Sequence, residues 1–173
     1  MISPGSKLSG LPSARSRFLL ARLTRWNSRP DNPVQQKEAQ MKWTKAEKEF
    51  VGTARVARLA TVSPEGIPHN VPVCPLLDSG KIFFGTEAKA KKVRNIEANP
   101  CVAIVFDDYT EAWKHLRGIM IHGTARIVTV REFRSVRQKI YAKFLQYQSA
   151  APLGEKDSAI VEVTAERKLS WGL

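Results

Sequence analysis

Cysteine, histidine and long apolar runs are all scarce in this chain. Its two cysteines, Cys74 and Cys101, sit inside apolar strand-like stretches with no paired spacing to histidine, which argues against a disulfide framework or a zinc site. The three histidines, His69, His115 and His122, match no metal-ligand spacing. The longest apolar stretches, such as CVAIVF, are strand-sized and fall well short of the roughly 20 residues that a membrane-crossing helix needs. A soluble protein of the reducing cytoplasm, without a membrane partner, is therefore expected. Helix-turn-helix, zinc-finger and RNA-binding aromatic signatures are missing as well, so no nucleic-acid partner is expected despite a net charge of +12.

That charge is unevenly spread. Residues 1–40 carry +5, leaving +7 on the other 133, and much of the latter falls on helical stretches where a solvated face accounts for it. Acidic residues are absent from the first thirty positions, which hold six Ser and six Lys/Arg. An organellar transit peptide or a membrane-surface helix at RSRFLLARLTRW would fit this composition, as would a disordered basic extension or an upstream start codon. Residues 1–40 are expected to be such an extension and 41–173 the folded domain, because Thr44 and Glu47 form a capping-box pattern ahead of Phe50, Val51 and Ala54.

Beyond that helix the pattern is mainly β. ARLATVS and HNVPVCPLL flank the turn Pro64-Glu65-Gly66, and Asp78-Ser79-Gly80 turns the chain into KIFFGT. CVAIVF, the polar link DDYTEAWKHLR, the long strand GIMIHGTARIVTV and the closing SAIVEVTAERKLSWGL complete six strands. A helix from about Arg131 to Gln148 places Val136, Ile140, Phe144 and Tyr147 at helical spacing. Six antiparallel strands with flanking helices predict a barrel.

The segment TEAKAKKVRNIEANP, Thr86 to Pro100, reads as a short helix ended by Asn99-Pro100, with Lys89, Lys91 and Lys92 in its first turn. Each cation there works against the helix dipole by roughly 0.3–1 kcal/mol unless an anion neutralises it. A phosphate monoester held by those ammonium groups, the Thr86 hydroxyl and free backbone N–H groups is one reading. A solvated lysine cluster is the other.

Three stretches together, ARLATVSPEGIPHNVPV, KIFFGTEAKAKKVRNIEANPCVAIVFDD and GIMIHGTARIV, resemble the pyridoxamine 5′-phosphate oxidase-like superfamily of FMN-binding split β-barrels. The resemblance spans about Val56 to Val128 and runs more loosely to the C-terminus. It implies an oxidoreductase that holds FMN, or the deazaflavin coenzyme F-420, in the cleft of a homodimer and acts on a small molecule. In the family the positions matching Ala90-Lys91-Lys92 are typically Ser-Arg-Lys, so the phosphate role carries over to Lys91 and Lys92, with Lys89 in support. Asn70, Val71, Pro72, Val73, Cys74 and Pro75 match the strand along the isoalloxazine ring, and Gly85 and Thr86 match contacts to the ribityl phosphate.

Two departures stand out. The family's oxidase places Arg and Lys where this chain has Asn70 and Pro75, and a basic, His-containing motif where this chain ends ERKLSWGL. An activity other than pyridoxamine phosphate oxidation is implied, closest to the flavin- and deazaflavin-dependent branch. A non-catalytic flavin- or haem-binding protein on the same barrel is the alternative. The resemblance assigns no catalytic side chain. Pro72 and Pro75 also predict an edge or interrupted strand, since each removes a ladder donor.

Overall fold

The computed structural model describes residues 41–173. The expectations for residues 1–40 lie outside the described residues. Helix α1 (Lys45–Thr53) starts at the anticipated capping box: Thr44 Oγ1 accepts from the Glu47 amide at 3.1 Å, and Glu47 Oε2 accepts from the Thr44 amide at 2.8 Å. The buried Glu47 carboxylate also accepts from the Lys168 ammonium and, at 3.1 Å, from Ser170 Oγ, which ties α1 to the last strand. Burial opposes its charge, but the Lys168 and Thr44 hydrogen bonds outweigh that and hold the carboxyl below its ordinary pKa.

Seven strands follow: β1 (Ala57–Val62), β2 (Pro68–Val73), β3 (Leu76–Asp78), β4 (Lys81–Glu87), β5 (Cys101–Asp108), β6 (Arg117–Ile127) and β7 (Ser158–Trp171). They form one antiparallel sheet in the order β2-β1-β5-β6-β7-β4-β3. The expected count of six is corrected here. HNVPVCPLL is two strands, because β2 pairs with β1 while β3, two residues later, pairs with β4 at the opposite end of the order. Pro75 cannot donate to a ladder, and the chain changes partner there. Two intervening residues span at most roughly 10 Å. The two sheet edges must therefore lie close together, and the sheet curls into a split barrel.

Alternation along the strands fills this barrel. Leu59, Ile82, Phe84, Ile104, Ile121, Val161 and Val163 point inward and form the main core. Phe83 and Ile160 point outward into a second cluster with Phe133, Val136 and Ile140 of helix α3 (Val130–Lys143). Two-sided burial explains the unbroken apolar runs at Ile82–Phe84 and Ala159–Val161. The β3–β4 turn has Ser79 and Gly80 both at positive φ (50° and 80°), the conformation of a two-residue hairpin turn.

Helix α2 (Lys91–Ala98) is shorter than expected. Thr86 and Glu87 continue β4, pairing with Ala159 and Ser158 of β7, so Lys89 precedes the helix and only Lys91 and Lys92 stand in its first turn. The expected stop holds: α2 ends at Ala98 and Asn99 Oδ1 accepts from the Cys101 amide at 3.1 Å. Helix α3 also ends early. Phe144 leaves helical geometry at φ −127°, ψ 83°, and Leu145–Gln148 forms a 3-10 turn that swings Tyr147 against β4.

Candidate functional site

The end of β4 and the start of α2 meet beside a cavity of about 780 Å³ lined by Gly85, Thr86, Lys89, Tyr147, Leu153 and Lys156, with Glu87 and Asp157 also on its wall. The Lys92 ammonium donates to Thr86 Oγ1 at 2.9 Å, joining the helix start to the cavity. Burial pushes the Lys92 pKa down, and the nearby Glu87 carboxylate partly opposes this. The N-cap, Ala90, offers no side-chain acceptor, and the first turn holds no acid. Helix dipole, first-turn N–H groups and two ammonium groups thus gather at one end with nothing in α2 to neutralise them.

Tyr147 closes the cavity on its inner side. Its hydroxyl donates to the Gly85 carbonyl at 3.3 Å, and burial together with the neighbouring Cys74 thiol pushes its pKa up to about 12. Leu153 packs on Gly85 so closely that a Cβ there would come within 2.5 Å of Leu153 Cδ1. A second cavity, of about 450 Å³, shares Tyr147, Ala150 and Ala151 with the first and adds Arg55, Cys74 and Phe144.

The structure brings the expected residues together in part. Gly85, Thr86 and Lys89 line the first cavity, Lys92 touches it through Thr86, and Cys74 lines the second. Lys91 is exposed at the first position of α2. Asn70 and Pro72 are exposed on the outer side of β2, an edge strand, whereas Val71 is half-buried and Val73 and Pro75 are buried. Val71 and Val73 pair with Leu59 and Ala57 of β1, and the Pro75 carbonyl accepts from the Lys143 ammonium at 2.8 Å. Tyr147, Leu153 and Arg55 come from segments that carry no local motif, and no sequence signal marked Leu153 or Arg55.

Other conspicuous residues stand apart from both cavities. Asp107 and Asp108 pair with Arg58 and Arg117 on the surface. His115, His122 and Trp113 are exposed. His69 is half-buried and its Nδ1 has no hydrogen-bond partner among the described residues. No cluster of three or more His, Cys, Asp or Glu residues suited to a metal occurs among the described residues.

A curled antiparallel sheet whose two edges approach each other, with helices packed on it, defines a split β-barrel. The chain belongs to the pyridoxamine 5′-phosphate oxidase family, whose model matches residues 43–172. It is 35% identical over 91 residues to the 5a,11a-dehydrotetracycline/5a,11a-dehydrooxytetracycline reductase of Streptomyces rimosus, a match covering 50% of this chain and 64% of that protein. Among solved structures, a conserved hypothetical protein of Mycobacterium tuberculosis superposes with TM-score 0.63 at 25% identity, over 79% of this chain and 89% of that one. An F-420 reductase superposes with TM-score 0.61 at 21% identity (73% and 98%), and a haem storage protein of Vibrio cholerae with TM-score 0.63 at 19% identity (75% and 94%). The last two likenesses concern the fold.

Proposed function

We propose that the chain is an oxidoreductase that binds FMN, or deazaflavin coenzyme F-420 in its place, and acts on a small organic molecule other than pyridoxamine phosphate. The observation that carries this reading is the Lys92–Thr86 contact beside the first cavity, at a helix start whose N-cap offers no side-chain acceptor and whose first turn holds no acid. That donor set suits a phosphate monoester: Lys92 and Thr86 grip it directly, Lys91 and Lys89 add charge, and the first-turn N–H groups complete the cradle. When bound, such a cofactor supplies hydride transfer. The protein's part is to orient the ring along the outer edge of β2, where Asn70 and Pro72 are exposed. Tyr147 and Leu153 exclude water from the inner wall. The reductase named among the relatives supports a redox role.

The working unit in this reading is a homodimer. On the outer sheet face, Val105, Met120 and Leu169 stand in register across β5, β6 and β7, and Leu169 is 60% exposed. Such a row is suited to pack against its copy.

The test is the absorbance and fluorescence spectrum of the purified chain, with mass analysis of the molecule released on denaturation, for wild type and Lys91→Ala/Lys92→Ala. A flavin or deazaflavin bound by wild type and lost from the variant supports the reading, and reduction by a supplied donor followed by substrate turnover separates an enzyme from a storage protein. Failure of the wild type to take up either FMN or F-420 on titration overturns it.

A further inference from the structure

Away from the lysine helix, two cations stand together without an acid. Arg55, in the link between α1 and β1, lines the second cavity; its Nη1 donates to the Lys143 carbonyl at 2.7 Å and its guanidinium lies 4.4 Å over the Phe144 ring. The Lys143 ammonium lies 5.3 Å from the same ring and donates to the Pro75 carbonyl at 2.8 Å. Neither side chain makes a salt bridge among the described residues, whereas Arg58, Lys81, Arg117, Arg126 and Lys168 all do. None of the residues lining the cavity is Asp or Glu. Burial and the neighbouring Arg55 charge push the Lys143 pKa down to about 8, opposed only by the Cys74 thiol.

Tying the α1–β1 link, the end of α3 and Pro75 together would be a purely structural use of these two side chains. It accounts for one donor on each. It does not account for two like charges concentrated beside a half-open apolar pocket, which an uncharged donor would tie at lower cost. A guanidinium has five donors and an ammonium three, so most of this capacity is uncommitted among the described residues. The rest of the wall suits a flat molecule. The Phe144 and Tyr147 rings meet edge to face at 6.3 Å, and Ala150 and Ala151 leave the remaining side open.

We propose that the second cavity is the substrate subsite and takes a planar organic anion, an aromatic carboxylate or acidic enol, with Arg55 as its direct partner and Lys143 adding charge from behind the Phe144 ring. Tyr147, Ala150 and Ala151 are common to both cavities, so a ligand here abuts whatever fills the first. That the anion is a substrate rests on the cofactor reading above; that the cavity binds it does not.

The experiment is a titration of the full chain with benzoate and with benzamide, its neutral near-isostere, followed by amide-resolved NMR. Wild type should bind benzoate about ten-fold more tightly than benzamide, with shifts centred on Arg55, Phe144 and Ala150. Arg55→Gln, at an exposed position, should bring the two ligands to within about two-fold, and Lys143→Met should weaken benzoate several-fold while sparing benzamide. Equal binding of both ligands by wild type, no binding of either, shifts centred on Lys89–Lys92, or a preference that survives Arg55→Gln each overturns the proposal. If Lys143→Met fails to fold, Arg55→Gln still decides. FMN titration of the same samples keeps the two readings apart: benzoate preference in a chain that refuses FMN sinks the cofactor alone, and FMN binding without that preference sinks this subsite alone.

Discussion

The Lys92 ammonium and the Thr86 hydroxyl lie 2.9 Å apart, one on the second residue of α2 and the other near the end of β4. This contact aims a cation back over the cavity mouth instead of out to solvent, and half-burial makes the bare ammonium costly enough to lower its pKa. A phosphate at that position would remove the cost. Lys92→Ala should therefore weaken FMN or F-420 binding by about ten- to a hundred-fold, the range for a charge-assisted hydrogen bond, and Thr86→Ala by less. Equilibrium titration followed by flavin fluorescence measures both. Thermal stability of the ligand-free Lys92→Ala chain should stay at or above that of wild type, because a cation unfavourable to the helix dipole has been removed.

Gly123 should be intolerant of any side chain. It sits at the register shift between β6 and β7, and a Cβ there would lie 2.0 Å from the Thr164 carbonyl oxygen. The obstacle is backbone within a paired strand, so no rotamer change relieves it. Gly123→Ala should destabilise the chain by about 3 kcal/mol, the upper part of the usual range for overpacking, as read by urea denaturation.

The difference between what was legible and what was not follows from the range of the interactions involved. The Thr44–Glu47 capping box, the Asn99-Pro100 stop and the strand alternation are local, and each is found where the sequence puts it. The split of HNVPVCPLL is not local. Its two halves continue one apolar pattern, and only the choice of partner, β1 for one and β4 for the other, separates them. Likewise Thr86 and Glu87 suit a helix start by composition but are held in β4 by their pairing with β7. At the candidate site, Gly85, Thr86 and Lys89 are neighbours in sequence and share a cavity, whereas Arg55 meets the Lys143 carbonyl across 88 positions that no local pattern connects.

Helix α3 gives a pH-dependent contribution whose sign is fixed. Glu132 closes the capping box with Thr129 and also accepts both guanidinium donors of Arg126, at 2.8 and 2.9 Å. These hydrogen bonds, from Arg126 first and Thr129 next, hold its carboxyl well below the usual carboxylate range. A depressed folded-state pKa means the stabilisation is fully present above the ordinary value near 4.5 and is lost as pH falls through the folded value. Glu132→Ala should cost about 1 kcal/mol near neutral pH, as for loss of a helix cap, and the gap between wild type and variant should close as pH falls below 4.5. Urea melts at a series of pH values read it, and a gap that widens in acid would contradict the assignment.

Leu169 gives the sharpest handle on the proposed dimer. It is 60% exposed on the outer face of β7, pairs with Met120 of β6 and stands in register with Val105 of β5, two strands away. Its side chain contributes nothing to the barrel core, so Leu169→Glu should leave circular dichroism and the melting temperature of an isolated subunit nearly unchanged. In a symmetric interface each substitution occurs twice, and the two new carboxylates would be buried together without a partner, which is strongly unfavourable. Sedimentation should find wild type at twice the chain mass and Leu169→Glu at the chain mass. A variant that stays dimeric would place the interface elsewhere on the barrel, and a monomeric wild type would remove the dimer from the proposal. Cofactor titration on the same monomeric variant then decides whether one subunit's Lys92 and Thr86 suffice for binding or whether the cleft between two copies is required.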